Sequence, residues 1–212
     1  MKNGASLFWI NWSAVWRISL MGGALASFGD AVHVWTATTG YPQSYALFLG
    51  PIPFWVPVLF STAALATTLG QHFFVRALGQ FAFFAFSKSP ARPTLKLYLT
   101  CGGGFLFIYL LSGLLPLPAG GVKDLLLYSV ALFFWFVMDR TPTGLVLGLV
   151  NGLVGTGFEI LLVALGVFSY LPNSANILAV PSWLPALYIS ASTAIWVLWN
   201  AEAAVAQDTR IR

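Results

Sequence analysis

Long apolar runs divide this chain, and their length constrains the fold more than any other feature. Six runs are each long enough for a helix to cross the hydrocarbon core of a bilayer, which takes about 20 residues. The runs are continuous rather than alternating in polarity, which favours helices over the strands of a membrane barrel. We therefore predict an all-α membrane protein, a bundle of six transmembrane helices. The predicted spans are residues 17–36, 53–73, 95–115, 121–138, 142–165 and 182–201.

The charged residues indicate the orientation of these spans. Only 8% of the residues are charged, against about 25% in a soluble domain, and almost all of them border an apolar run. Cytoplasmic loops retain Lys and Arg, and with the N-terminus inside only Lys123 of the ten basic residues falls outside. Both termini are therefore predicted to be cytoplasmic. The net charge of +4 reflects this asymmetry and contact with anionic headgroups, so no nucleic-acid partner is predicted. The other basic residues are Lys2, Arg17, Arg76, Lys88, Arg92, Lys96, Arg140, Arg210 and Arg212.

The spans form one predicted domain, residues 17–203, because the loops between them are short. Within residues 1–16, Trp9, Trp12 and Trp16 recur at helical spacing, which is typical of a helix in the inner interface. A simple extension of the first span is the alternative. Residues 204–212 are predicted to be a cytoplasmic tail. The aromatic and basic segment 71–96 is either a surface element of the cytoplasmic leaflet or a continuation of the second helix.

The turn between the fourth and fifth spans contains two charges in a chain that has few. In the sequence VMDRTPTGLVLGLV, residues 137–150, Arg140 follows the charge rule, but Asp139 is not needed for topology. Asp139 precedes a Thr-Pro start to the next helix, where a carboxylate accepts unpaired backbone N–H groups and Pro142 removes one such donor. The sequence thus predicts either a helix cap at Asp139 or a cytoplasmic contact with a partner or a lipid head.

Few residues are available for catalysis or metal binding. Cys101 is the only cysteine, and His33 and His72 are the only histidines, which excludes an internal disulfide and a multi-thiolate metal site. No phosphate-binding loop and no nucleophile motif is present in the sequence. We predict no enzyme activity, no cofactor and no metal site.

The fifth span carries regularly spaced glycines. Gly144, Gly148 and Gly152 follow one another at helical spacing, and Gly155 and Glu159 extend roughly the same face. Glycines at this spacing let another helix approach closely. The face therefore either packs against a second helix or forms one wall of a slot for a lipid.

Acidic and histidine side chains at membrane depth are a second unusual feature. At a rise of about 1.5 Å per residue, Glu159 lies about 25 Å from the start of its helix, in the outer third of the bilayer. His33 reaches a similar depth in the first span, and Asp30 lies one turn away. These groups pair with one another, reach the interface, or form the polar end of an apolar ligand cavity. The alternatives are a small secondary transporter that uses all three side chains, and a lipid enzyme with His33 and Glu159 as acid and base.

Short sequence blocks in the second half of the chain resemble a known family. DRTPTGLVLG at 139–148, GVFSY at 166–170 and PSWLP at 181–185 resemble the carboxy-terminal half of the insulin-induced gene (Insig) proteins, with nearly the same spacing. The resemblance implies six spans with cytoplasmic termini, and a non-enzymatic sensor that binds oxysterols and retains sterol-regulatory partners in the endoplasmic reticulum. It also implies that Asp139 engages a partner. The polar motif of the family's third span is replaced here by CGGGFLFIYLLSGLLPLP, residues 101–118, which suggests a compact bacterial homologue.

Together, the residues and the resemblance predict an Insig-like integral membrane protein that holds a lipid between its helices and acts as a sensor or scaffold. The lipid is expected to be a sterol, a diacylglycerol or an isoprenoid. A homo-oligomer and a membrane protein partner at Asp139 are further expectations. The membrane is expected to be a bacterial inner membrane, or the endoplasmic reticulum in a eukaryotic cell. The predicted ligand-binding residues are Gly148, Asn151, Gly152, Gly155, Glu159 and His33.

Overall fold

Helices account for most of the residues that the structure describes. The structure is a computed structural model and describes residues 10–45, 47–78 and 92–211. Each of the six helices in this part of the chain coincides with one apolar run, so the predicted helical elements are confirmed. The helices are α1 (Trp12–Trp35), α2 (Val56–Leu78), α3 (Leu95–Leu114), α4 (Gly121–Met138), α5 (Pro142–Ala164) and α6 (Leu184–Ile211).

Local sequence signals set several helix limits. Asn11, Thr94 and Thr141 precede α1, α3 and α5, and each side chain accepts a hydrogen bond from a backbone N–H of the first turn. Pro142 occupies the first turn of α5, where it removes a donor that would lack a partner. Gly166 follows the end of α5 with φ of 70°, a left-handed conformation that lets the chain leave the helix there.

Two short β-ribbons lie in the loops that follow α1 and α5. The strands are β1 (Thr39–Gly40), β2 (Phe48–Leu49), β3 (Ile52–Pro53) and β4 (Ser169–Tyr170). β1 pairs antiparallel with β4, and β2 pairs antiparallel with β3. The sequence prediction missed them because strands of two residues are too short to show alternating polarity. The β1–β4 pairing ties two distant loops together and thereby fixes the position of Tyr170 relative to the helices.

α6 lies at the centre of the bundle, since it contacts each of the other described helices. Just before it lies Trp183, the largest fully buried side chain among the described residues. Large apolar side chains cover the outside of the bundle instead, as at Leu99 and Leu153, which are 65% and 74% exposed. Soluble proteins rarely expose so much apolar surface, so this exterior suits a lipid environment. In the described part of the chain, four helices, α2 to α5, are long and apolar enough to cross a membrane.

The first and last helices carry more polar residues, and many of these are buried inside the bundle. Buried hydroxyls such as those of Ser19 and Thr193 donate to backbone carbonyls one turn earlier, which satisfies them without water. Arg17 of α1 forms an ion pair with Glu202 of α6 at 2.7 Å. Tyr98 of α3 donates to the same carboxylate, also at 2.7 Å. Glu202 therefore joins three helices from a buried position, although the Arg17 side chain is 50% exposed.

The described part of the predicted interfacial segment is continuous with the first helix. α1 begins at Trp12, and the side chains of Trp12 and Trp16 are exposed on it. This continuity favours the alternative of an extended first helix, while Trp9 lies outside the described residues. At the other end, α6 continues through residues 204–211, so the predicted tail begins as a helix. Within the segment 71–96, α2 runs to Leu78 and α3 begins at Leu95, and residues 79–91 lie outside the described residues.

Candidate ligand cavity

A partly open cavity of about 90 Å³ lies between α1, α2, α3, α5 and α6. Its wall is mainly apolar, and Glu159 is the only charged residue among the described residues that line it. A concave apolar site with a few convergent polar groups is typical of sites for small apolar ligands. The apolar wall includes Ile18, Met21, Leu25, Phe60, Phe105, Leu187 and Ile195.

Glu159 forms a polar end of this cavity together with tyrosines from other elements. The Tyr188 hydroxyl of α6 donates to Glu159 Oε1 at 2.6 Å, and the Tyr170 hydroxyl of β4 donates to Oε2. Tyr109 of α3 also lines the cavity. The carboxylate is thereby compensated by two hydroxyl donors, as a charge at membrane depth requires. Of the three side chains predicted to form a polar end, only Glu159 lines the cavity.

Asn151 lines the cavity nearer the start of α5 and joins two helices there. Its Oδ1 accepts a hydrogen bond from the Thr67 hydroxyl of α2 at 3.2 Å. Its Nδ2 donates to the backbone carbonyl of Tyr188 at 3.1 Å. Both polar ends of the Asn151 amide are therefore engaged within the protein, and the residue shapes the cavity wall as well as lining it.

Asp30 and His33 do not share a network with Glu159. Asp30 accepts a hydrogen bond from the Tyr41 hydroxyl at 2.6 Å. His33 Nε2 lies 2.9 Å from the Ser112 hydroxyl, and its ring packs edge-on against Tyr109 with ring centroids 4.7 Å apart. Each group thus has its own partner, so the pairing of the three side chains with one another is wrong. His33 is not among the residues that line the cavity, and its contact there is indirect, through the Tyr109 ring.

The glycine face of α5 packs against α6 rather than facing the cavity. A Cβ atom added at Gly148 would lie 3.3 Å from Ile189 Cγ2, and one at Gly152 would lie 3.3 Å from the Pro185 carbonyl oxygen. A Cβ at Gly155 would overlap the Tyr188 ring. Of the two interpretations of this face, the structure favours helix packing. Gly155 has a further effect, because the space it leaves lets the Tyr188 hydroxyl reach Glu159. Ile189 and Pro185, which contact Gly148 and Gly152, do not line the cavity.

Asp139 stabilises the start of α5 indirectly, through Thr141. Thr141, not Asp139, is the N-cap, and its hydroxyl accepts a hydrogen bond from the Gly144 N–H at 3.0 Å. Asp139 Oδ2 accepts from the Thr141 hydroxyl at 2.8 Å and from the Thr141 N–H at 3.3 Å. The prediction that Asp139 itself caps the helix was therefore wrong, because Asp139 bonds to the capping residue Thr141. The Asp139 side chain is buried, and burial raises the pKa of its carboxyl. Its contact with a partner remains a prediction.

Tyr109, Tyr170 and Tyr188 were missed as site residues from the sequence. Tyr170 ends the block GVFSY, and Tyr188 follows the block PSWLP by one helical turn. Their signal is chemical, since a tyrosine buried in an apolar span needs a hydrogen-bond partner for its hydroxyl. Among the described residues, no cluster of His, Cys, Asp and Glu has the composition to hold a metal ion.

Comparisons with known proteins give consistent relatives. No family model matches the chain. An INSIG protein homolog from Mycolicibacterium vanbaalenii is 31% identical over 173 residues, which is 81% of this chain and 78% of the relative. The insulin-induced gene 1 protein of Danio rerio is 26% identical over 176 residues, covering 83% of this chain and 66% of that protein.

Solved structures show the same likeness. The crystal structure of a mycobacterial Insig homolog, MvINS from Mycobacterium vanbaalenii, has a TM-score of 0.75 at 25% identity and covers 91% of this chain and 95% of its own. A cross-linked MvINS trimer gives a TM-score of 0.73 at 26% identity with the same coverage.

Proposed function

Because this chain belongs to the insulin-induced gene (Insig) family, we propose that it binds a lipid in the cavity between its helices and acts as a sensor or scaffold, not as an enzyme. The lipid is proposed to be a sterol, a diacylglycerol or an isoprenoid. The observation that carries this proposal is the cavity itself, an apolar space with Glu159 and its tyrosines at one end. A membrane lipid combines an apolar body with a small polar head, which is the same distribution of polarity.

We propose further that all six helices cross the membrane, with both termini on the cytoplasmic side. α1 has 24 residues and α6 has 28. At about 1.5 Å per residue they are longer than a hydrocarbon core of about 30 Å. Many of their polar side chains are buried, such as Ser19 and Thr193, and the exposed Arg17 is paired with the buried Glu202, which lowers the cost of placing these helices in lipid. The proposed location is a bacterial inner membrane, or the endoplasmic reticulum membrane if the cell is eukaryotic.

Cysteine labelling tests this topology. In a Cys101→Ala background, Arg140→Cys should react with an impermeant thiol reagent only from the cytoplasmic side, and Asn173→Cys only from the opposite side. Both positions are exposed, so access depends on the side of the membrane rather than on burial. The reverse pattern, or labelling of both from one side, would disprove the proposed orientation.

Filling the cavity tests lipid binding. Ala191 of α6 lines the cavity and is only partly buried, so Ala191→Phe should occupy the space with little change elsewhere. Protein purified in mild detergent is extracted and its lipids are quantified by mass spectrometry. The variant should remain monodisperse and lose most of a specific lipid that the unaltered protein carries at a fixed stoichiometry.

The matched control is Ala164→Phe, which adds the same side chain at an exposed position of α5 that does not line the cavity. The control should keep its lipid. Retention of the full complement by Ala191→Phe would contradict binding in this cavity.

A homo-oligomer is also proposed, supported by the cross-linked trimer of the similar MvINS protein. Native mass spectrometry of the purified protein should show a trimer whose protomers each carry the bound lipid. A monomer at every detergent and protein concentration would contradict the assembly without affecting the proposed lipid site. The membrane protein partner at Asp139 is proposed on the family resemblance alone.

A further inference from the structure

We infer that the β2–β3 hairpin is inserted among the acyl chains of the leaflet opposite the cytoplasm, so that its partner is the lipid bilayer rather than water. The inference goes beyond lipid binding in the cavity, but it rests on the proposed membrane crossing of α1 and α2. Three features of the loop between these helices carry it: the exposed side chains, the level of the hairpin along α1, and the pairing of its backbone.

The exposed side chains of the hairpin are apolar. Leu47, Leu49 and Phe54 are 62%, 61% and 57% exposed, and Phe48 is exposed as well. No Asp, Glu, Lys or Arg occurs in residues 31–75. A contiguous exposed apolar surface marks a contact with a protein or a membrane. The absence of charge from the whole segment favours hydrocarbon as the contact.

The packing of α2 against α1 sets the depth of the hairpin. A Cβ added at Gly23 of α1 would lie 2.9 Å from Ser61 Cβ of α2, so these two residues lie at the same level. Twelve residues of α1 follow Gly23, whereas only five residues of α2 precede Ser61. At about 1.5 Å per residue, α2 therefore begins about 10 Å short of the end of α1, towards the centre of the bilayer.

The chain between the two helices thus returns alongside α1. Ile52 of β3 and Val56 of α2 are buried in one apolar cluster with Ala31, about one turn before the end of α1. Because β2 pairs with β3, both strands lie beside the last turns of α1 rather than beyond them. The exposed apolar side chains of Phe28 and Val58 lie near the same level. The apolar exterior of the bundle therefore continues into the hairpin.

Pairing within the hairpin reduces the number of backbone groups that would face lipid. Unpaired N–H and C=O groups are costly in hydrocarbon. Pro51 and Pro53 carry no N–H, and the Phe54 N–H donates to the Leu47 carbonyl at 3.2 Å. Gly50 adopts a φ of 65°, which permits the tight turn between the strands. The backbone is therefore compatible with insertion below the headgroups.

Aromatic side chains hold the base of the hairpin against the bundle. Trp55 packs edge-on against Tyr41 and Tyr45, with ring centroids 5.8 and 5.6 Å apart. The Tyr41 hydroxyl donates to Asp30 of α1 at 2.6 Å, and the Tyr45 hydroxyl donates to the Val167 carbonyl at 2.7 Å. Trp and Tyr are enriched where hydrocarbon meets the headgroups. The hairpin is therefore presented to the lipid in a fixed position.

Spin labels measure the depth of the hairpin. Leu47→Cys and Leu49→Cys, each in the Cys101→Ala background, are labelled with a nitroxide and reconstituted into vesicles of phosphatidylcholine and phosphatidylglycerol. Collision rates are measured with oxygen, which concentrates in hydrocarbon, and with a nickel chelate that stays in water. Leu153→Cys on the exposed face of α5 is the lipid reference, and Asn173→Cys is the water reference. The oxygen-to-nickel ratio at both hairpin positions should be several-fold higher than at Asn173 and should approach that at Leu153.

An added charge tests the same contact by its effect on stability. Leu49→Asp would place a carboxylate among the acyl chains, so the melting temperature in the same vesicles should fall by several degrees. Ser44→Asp is the matched control, because it adds the same carboxylate at an exposed polar position of the same loop. Its melting temperature should stay close to that of the unaltered protein. Equal melting temperatures for the two variants would overturn the inference.

A ratio at Leu47 and Leu49 equal to that at Asn173 would also overturn the inference, because the hairpin would then face water. Low collision rates with both reagents, with spin–spin broadening that disappears on dilution with unlabelled protein, would overturn it in favour of a second copy of the chain. Either result would leave the proposed lipid cavity standing. A water-like ratio at Leu153 would instead overturn the proposed membrane crossing, and the inference with it.

Discussion

Two carboxylates near opposite ends of α5 both accept hydrogen bonds from hydroxyl groups, but their partners lie at very different distances along the chain. Asp139 accepts from Thr141, two residues on. Glu159 accepts from Tyr170 of β4 and Tyr188 of α6. Asp139 therefore organises a single turn, whereas Glu159 joins three separate elements beside the cavity. The N-terminal end of α5 therefore depends on contacts between residues close in sequence, whereas its C-terminal end depends on contacts with other elements of the fold.

The largest effect is expected from Gly155→Ala, which should disrupt the end at Glu159. The added Cβ overlaps the Tyr188 ring, so the ring must move away from Glu159. We expect a loss of about 2–3 kcal/mol in the free energy of unfolding, measured in mixed micelles.

Gly157→Ala is the control, since nothing lies within 4 Å of its added Cβ. It should stabilise the helix by up to about 1 kcal/mol, because alanine has the higher helix propensity. Equal effects of the two substitutions would show that the close contact at Gly155 does not matter.

A smaller effect is expected from Tyr170→Phe, which removes one long-range donor from Glu159. The hydrogen bond is made to a carboxylate, so the expected loss is about 1.5 kcal/mol in the free energy of unfolding. Combined with Glu159→Gln, the substitution should cost less than the sum of the two single changes, because both remove one interaction. Strict additivity in this double-mutant cycle would argue that Glu159 does not hold β4 in place.

Asp139→Asn should have a still smaller effect on stability. The asparagine oxygen can accept the same hydrogen bonds from Thr141, so the expected loss is about 0.5 kcal/mol by the same unfolding measurement. Bound lipid should be unchanged, because Asp139 does not line the cavity. A stability loss as large as that of Gly155→Ala would remove the distinction between the two ends of α5. Loss of a co-purified partner with stability retained would support the proposed contact at Asp139.

The smallest expected effect is a change in pH dependence at the Asp139 end. Burial raises the pKa of Asp139 above its ordinary value of 3.8, so the folded protein binds this proton more tightly than the unfolded chain. Its contribution to stability is therefore largest below that value and is lost as pH rises toward the raised pKa. The melting temperature of the unaltered protein relative to that of Asp139→Asn should be higher at about pH 4 than at about pH 7. A gain at the higher pH instead would contradict a raised pKa.

The sequence predicts the helices well because a membrane span is a local property. Continuous apolar runs located all six helices of the described residues, and Pro142 marked the start of α5. The network at Glu159 was only half predicted, since depth along the helix placed the carboxylate but not its tyrosine partners. Those partners depend on the β1–β4 pairing and on the α5–α6 contact, which have no signature within one segment. Depth along a helix also does not tell which way a side chain faces. His33 was therefore predicted as a cavity residue, although it does not line the cavity.

The central position of α6 has a consequence for how the protein is made. α6 leaves the ribosome after the other five described helices, yet it contacts each of them. Until it is inserted, Glu159 lacks the Tyr188 hydroxyl and Asn151 lacks the Tyr188 carbonyl that it contacts in the finished fold. The nascent bundle therefore carries these polar groups without their α6 partners from the synthesis of α5 until α6 is inserted. Insertion of α6 supplies both partners together, and a chain truncated before α6 would leave Glu159 and Asn151 without them.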